Sequence, residues 1–249
     1  MSVSCCLITW NEEESISRCL KYIDSLKYIT EICIVDSNST DKTQDIIYDF
    51  IKMSEKHVVF ISKEFKNFEE HRNMSLDLAT SDWVITIDAD ETYTQQLDSL
   101  LADLPLMSTI NAVRIPTITM AIDTRHYIDS GNLDPHVRIF RRGFARLKKL
   151  IHEELVDNNG RSLHWAKNID ILNILDDTKH YNVYMKHHQL LKSSYALLSK
   201  GERWEELGFI AESAKAGIPV HKNIWNEWKI TSTDKSIKEL PLEWYDSQT

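Results

Sequence analysis

The sequence predicts an α/β protein whose mostly parallel, Rossmann-like central sheet is flanked by helices. Three observations carry that expectation. Short β-prone runs alternate with helix-like segments up to Tyr93. Three of the early runs end in polar or acidic residues. Beyond Tyr93 the pattern shifts to longer β-prone runs, and helical segments then close the chain.

VSCCLIT (3–9) is the first apolar run. Residues 11–21 read as a helix, with Asn11 as N-cap and Glu14 completing a capping box. EICIVD (31–36) is the second strand, SNSTD a turn, and a helix follows over 42–53. HVVFI (57–61) is the third strand, Asn67 caps a helix through Ala79, and DWVITID (82–88) is the fourth strand. Such alternation implies right-handed crossovers and a parallel sheet. Ligands of such sheets bind at the carboxyl ends of the strands. A short helix over 94–103 precedes Pro105. Strands over 111–122 and 136–142 flank a polar loop, and another strand falls near 168–175. C-terminal helices are expected over 183–199 and 202–216, the second stopped by Gly217 and Pro219. His187 and His188 would lie on the first of these as surface or packing residues. The tail, with Trp225, Trp228 and Trp244, is expected to pack across the body.

The 249 residues suffice for one large α/β domain or two small ones. A net charge of −9 argues against a general polyanion binder, whose affinity would come from neutralising phosphates. The charge is uneven, however. HVRIFRRGFARLKK holds Arg138, Arg141, Arg142, Arg146, Lys148 and Lys149, either a solvated basic strand pair or a positive wall facing an anion. No apolar run approaches a membrane span and no signal peptide opens the chain, so a complete, cytoplasmic protein is expected. Cys5, Cys6, Cys19 and Cys33 form no C-x-x-C pair, which fits buried, reduced thiols.

The strand ends carry the chemistry. They bring Thr9-Trp10-Asn11-Glu12, Asp36-Ser37-Asn38-Ser39-Thr40-Asp41 and Asp88-Ala89-Asp90-Glu91 to one sheet edge. Asn11 and Glu12 could merely start a helix, and the Asp36 segment could be plain turn chemistry. Asp88 and Asp90 are harder to dismiss. On an extended chain alternate residues point the same way, so both carboxylates would face one spot. Two like charges side by side destabilise the fold unless a cation or donors compensate. Mg²⁺ or Mn²⁺ commonly shares such carboxylates with a diphosphate.

The ordered set T-W-N-E, V-D-S-N-S-T-D, E-H-R-N and I-D-A-D-E resembles the family 2 glycosyltransferases of the glycosyltransferase A fold, over roughly residues 3–95. R-I-F-R-R and I-H-E-E-L resemble a subgroup with lipopolysaccharide-core and peptide S-glycosyltransferases, extending the likeness to about residue 185. The resemblance implies an inverting, metal-dependent transfer from a nucleotide-sugar, a UDP-sugar above all. It implies that Thr9 and Trp10 line the nucleobase pocket, with Asn11, Glu12 and Ser37 beside them, and that Asp36 bonds base or ribose. Arg72 would hold the diphosphate side. Asp88 would meet ribose or a metal-bound water, Asp90 would ligate Mn²⁺ or Mg²⁺, and His180 could touch metal or diphosphate. Glu153 is the implied base, with His152 beside it. Residues 1–95 would then be the nucleotide-sugar half, 96–182 the acceptor and catalytic half, and 183–249 C-terminal helices and tail. The expected partners are the donor and an acceptor glycan, peptide or modified nucleic acid, with room for peripheral membrane contact.

D-A-D-E-T also spells the first motif of haloacid-dehalogenase-like phosphatases, with Asp88 as nucleophile and Asp176-Asp177 as a late acidic pair. That motif ends the first core strand, whereas here it ends the fourth. A nucleotidyltransferase would need a Gly-rich loop after the first strand, which T-W-N-E-E lacks. A non-catalytic nucleotide-sugar-binding protein is the remaining alternative.

Overall fold

The computed structural model describes residues 2–120, 124–128, 133, 135–148, 154–163, 170–177, 181–188, 191–192 and 237–239. The elements in chain order are β1 (Val3–Thr9), α1 (Ile16–Ser25), β2 (Ile29–Asp36), α2 (Thr43–Met53), β3 (His57–Ser62), α3 (Phe68–Leu78), β4 (Trp83–Asp88) and β5 (Glu91–Tyr93). Then come α4 (Leu97–Asp103), β6 (Ala112–Met120), β7 (His126–Ile128), β8 (Pro135–Arg141), β9 (Ala145–Lys148), β10 (Glu154–Asp157), β11 (Ile171–Asn173), β12 (Met185–His187) and β13 (Ile237–Glu239).

The main sheet runs β13-β7-β6-β8-β4-β1-β2-β3. Strands β3, β2, β1 and β4 are mutually parallel, as the strand–helix alternation predicts. Beyond β4 the sheet is mixed: β8 joins β4 antiparallel and β6 joins β8 antiparallel. The longer strand β6 bridges two neighbourhoods. Its first half pairs with β8 and β11, its second half with β12 and β7. β9 and β10 form a separate antiparallel pair, so the basic stretch is not one strand pair.

Alternation along the strands divides the core. Cys5, Leu7, Ile32, Ile34, Ile85 and Ile87 face α1, α2 and α4, while Cys6, Cys33 and Val84 face α3 and the β9–β10 pair. Helix α1 buries Ile16, Cys19, Leu20 and Ile23, the spacing of a single helical stripe. The four thiols are free and buried, and burial pushes the Cys5 and Cys19 thiols upward; Cys6 is raised by its hydrogen bond with Cys33 and by burial. No described helix is long and apolar enough to cross a membrane.

Three expectations change. Helix α1 starts at Ile16, not Asn11. Asn11 adopts φ 50°, its N–H donates to Ser39 Oγ at 2.8 Å, and its side-chain oxygen accepts from the Thr40 N–H at 2.8 Å. These contacts reach across 28 and 29 residues, so a local capping pattern could not reveal them. The helix expected over 94–103 begins only at Leu97, and Thr92 before it is a buried strand residue of β5. His187 ends a strand and His188 follows it, buried, where a helix is expected from 183; β12 is claimed by pairing with both β5 and β6. By contrast, Asn67 caps α3 as expected, accepting from the Glu70 N–H at 2.7 Å. The second C-terminal helix and the three tryptophans of the tail lie outside the described residues, while Ile237–Glu239 of the tail pairs antiparallel with β7.

One buried carboxylate ties the non-functional end of the sheet. Glu31 on β2 accepts from the Thr80 N–H at 2.7 Å, the Thr80 hydroxyl at 2.9 Å and the Ser4 hydroxyl, with His57 at 3.3 Å. Burial alone would raise its pKa, but the Ser4 and Thr80 donors outweigh burial and hold it below the ordinary 4.5. A depressed folded-state pKa gives stability that is present above 4.5 and is lost as pH falls through the folded value. Glu31→Gln should therefore cost about 1–3 kcal/mol in urea melts at neutral pH, and less at about pH 3. An equal cost at both values would exclude the charged hydrogen-bond network.

Candidate active site

Strand register brings the predicted groups level. Thr9 pairs with Asp36, and Ile8 pairs with Asp88, so the carboxyl ends of β1, β2 and β4 form one edge. Thr9 is buried, and its hydroxyl has no hydrogen-bond partner among the described residues. Trp10 next to it is half-buried. Ser37 is buried and donates its N–H to the Thr9 carbonyl at 2.8 Å.

Asp36 is fully buried and surrounded by donors from its own loop, from α2 and from β3. Ser39 gives its N–H at 2.8 Å and its hydroxyl at 2.5 Å, Gln44 Nε2 lies at 2.9 Å, and Ser62 Oγ at 3.3 Å. Asp36 thus shapes the loop after β2, to which Asn11 is pinned.

Asp88 and Asp90 do not share one spot in the way an extended chain would arrange. The chain turns at Ala89–Asp90, and the two carboxylates take different partners. Arg72 of α3 grips Asp88 with both Nη atoms, at 2.7 and 3.1 Å. Arg138 of β8 approaches Asp88 at 4.0 Å and binds Glu91 at 2.8 Å. Glu91 in turn accepts the Asp88 N–H at 2.9 Å. Burial would raise the Asp88 pKa, yet Arg72 and then Arg138 hold it below the usual carboxylate range. For Glu91 burial wins over Arg138, and its pKa is pushed up. A carboxylate clamped by two guanidinium groups is a poor nucleophile, which removes the phosphatase reading of Asp88.

Asp90 Oδ2 accepts from Lys192 Nζ at 2.6 Å and faces His187 Nε2 at 3.8 Å. Lys192 also binds Glu12, at 2.7 and 2.9 Å. Glu12 is buried and pinned through its N–H to Thr43 Oγ1 at 2.7 Å. The Asp90 carbonyl accepts the His188 N–H at 2.8 Å, and His188 Nε2 lies 2.8 Å from Thr92 Oγ1. Burial lowers the His187 pKa, but the hydrogen bond and charge of Asp90 outweigh it and leave His187 raised.

No group of three His, Cys, Asp or Glu side chains converges as a metal cage among the described residues. The donor set nevertheless fits a hard divalent cation. Such ions need only one or two protein ligands when a diphosphate supplies the rest. Adjacent ligands of an octahedral ion at about 2.1 Å lie about 3 Å apart, so Asp90 Oδ2 and His187 Nε2, 3.8 Å apart, would close by less than about 1 Å to share one.

Glu153, His152 and His180 lie outside the described residues. Glu91 belongs to the strand-end cluster already read from the sequence, but three residues of the site were not assigned to it there: Arg138, His187 and Lys192. Only Arg138 had a signal, as part of the basic stretch. Three other cations of that stretch work elsewhere. Arg141 stacks 4.6 Å over Trp83, Arg142 donates to the Ser81 carbonyl at 2.9 Å, and Arg146 pairs with Asp77 at 2.6 Å.

Residues 4–153 match the family model described as "Glycosyl transferase family 2". The SPbeta prophage-derived glycosyltransferase SunS of Bacillus subtilis (strain 168) is 36% identical over 97 residues, 38% of this chain and 21% of that protein. The lipopolysaccharide core biosynthesis glycosyltransferase LpsC of Rhizobium meliloti (strain 1021) is 28% identical over 159 residues, 63% of this chain and 57% of that protein. This chain therefore spans from about a fifth to just over half of the length of these relatives. Among solved structures, the mannosyltransferase PcManGT of Pyrobaculum calidifontis, in complex with GDP-Man and Mn²⁺, is 25% identical over 45% of this chain and 34% of that one, with a TM-score of 0.41. The family match covers more than half of the sequence and spans the strand ends that build the acidic turn, so the chain belongs to glycosyl transferase family 2, with its glycosyltransferase A fold.

Proposed function

We infer that the chain is a metal-dependent, inverting glycosyltransferase that moves a sugar from a nucleotide-sugar, a UDP-sugar by family resemblance, to an acceptor hydroxyl or thiol. The observation that carries this reading is the level arrangement of Thr9, Asp36 and Asp88 at one sheet edge, with the Asp90–His187 pair on the turn beyond it. Residues 1–95 would hold the donor and 96–182 the acceptor.

Asp90 and His187 are the residues we assign to Mn²⁺ or Mg²⁺, which supplies positive charge against the departing diphosphate. His187 replaces His180 as the preferred imidazole because it faces Asp90 Oδ2. Thr9 offers its buried, unpartnered hydroxyl and Trp10 its ring to the nucleobase. Arg72 and Arg138 keep Asp88 ionised and oriented toward the donor. Glu153, with His152 beside it, takes the acceptor proton as the acceptor atom bonds to the anomeric carbon and the bond to the diphosphate breaks. Of the candidate acceptors, a lipopolysaccharide-type glycan ranks ahead of a peptide or a modified nucleic acid, because the longer match is to LpsC. The four buried free thiols suit a reducing compartment, so we place the reaction in the cytoplasm.

Two substitutions test the assignment. Asp90→Asn should abolish Mn²⁺ binding, measured by electron paramagnetic resonance, and slow transfer by about a thousandfold. Unchanged Mn²⁺-dependent transfer would remove Asp90 from the metal site. Glu153→Gln should lower transfer about 10²–10⁴-fold while UDP affinity, measured by calorimetry, stays within about twofold. Loss of the folded state instead would give Glu153 a structural role.

A further inference from the structure

One contact in the site works against the metal. Lys192 is almost fully buried, and its ammonium lies 2.6 Å from Asp90 Oδ2, the same oxygen that faces His187 Nε2. A divalent cation held between Asp90 and His187 would meet that ammonium at close range, where like charges repel strongly. Burying an ammonium is itself costly without good partners, and Lys192 has them in Glu12 and Asp90. Asp90 is the contested partner, whereas Glu12 is fixed by Thr43 and stays available.

We propose that Lys192 is a resident counter-ion of the site: it occupies Asp90 Oδ2, competes with the divalent ion for that oxygen, and retreats toward Glu12 when the ion binds. The proposal rests on the assignment of Asp90 and His187 to the metal. Lys192 can move without dismantling the sheet. It lies beyond the end of β12, outside every strand, and its neighbour Leu191 donates its N–H to the His188 carbonyl at 2.9 Å. Metal loading is thereby coupled to the position of the segment after β12. The resident ammonium also keeps Glu12 and Asp90 compensated, which lets the strand-end cluster fold before any ion arrives.

The test is a Mn²⁺ titration of the full chain by electron paramagnetic resonance, without donor or acceptor. Lys192→Met, close in length and uncharged, should bind Mn²⁺ about tenfold or more tightly than the unmodified chain. Equal or weaker binding by Lys192→Met, with binding lost in Asp90→Asn, overturns the proposal and leaves the metal assignment standing. Undiminished binding by Asp90→Asn overturns both. Should Lys192→Met fail to fold, the unmodified chain gives the answer. In protein carrying ¹⁵N-labelled lysine, the Lys192 Nζ signal, read by nuclear magnetic resonance, should shift as Mg²⁺ saturates the site. A Lys192 signal that does not move at saturation overturns the proposal.

Discussion

Four carboxylates, Glu12, Asp88, Asp90 and Glu91, are packed at one end of a parallel sheet, and the layout of the site follows from the need to compensate them. An uncompensated buried charge costs several kcal/mol, so each must find a cation or a set of donors. The cations come from distant parts of the chain: Arg72 from α3, Arg138 from β8 and Lys192 from beyond β12. The acidic turn therefore does more than present ligands. It draws a helix, an antiparallel strand and a late segment onto one point, and that convergence is what closes the second half of the fold over the first.

The same charges serve two purposes that pull in opposite directions. Full compensation stabilises the folded chain, whereas under the proposed function a diphosphate and its metal would require carboxylates that can still accept a cation. The structure separates these demands by residue. Asp88 is committed, gripped at both oxygens by Arg72. Asp90 Oδ2 accepts from the Lys192 ammonium and faces an imidazole that protonation or a metal could claim. Strain between stability and function is a common property of binding sites, and here it is concentrated on one aspartate.

Much of the parallel half was legible in the sequence. Apolar runs of six to eight residues set β1 to β4, and Asn67 announced α3. The motif residues Thr9, Asp36 and Asp88 end three of those strands at one level because parallel register follows from the alternation itself. What stayed hidden depends on contacts far along the chain. Asn11 looked like a helix cap, yet its amide belongs to the loop after β2. Met185–His187 is three residues long, too short to show a period, and is a strand only because β5 and β6 flank it. Arg138 was one of several basic residues in a row, and nothing local distinguishes the one that turns toward Glu91 from those that bind carbonyls or Trp83.

The cysteines lead to a different consequence. Cys5, Cys6, Cys19 and Cys33 lie on β1, α1 and β2, between the two faces of the parallel half, and raised pKa values keep Cys5, Cys6 and Cys19 protonated at neutral pH. A thiol reacts as its thiolate, so these groups are silent while the parallel half is intact. Their alkylation would then proceed only through opening of that half. Nature has left in this chain a set of built-in reporters, by which the breathing of this layer can be timed without attaching any label.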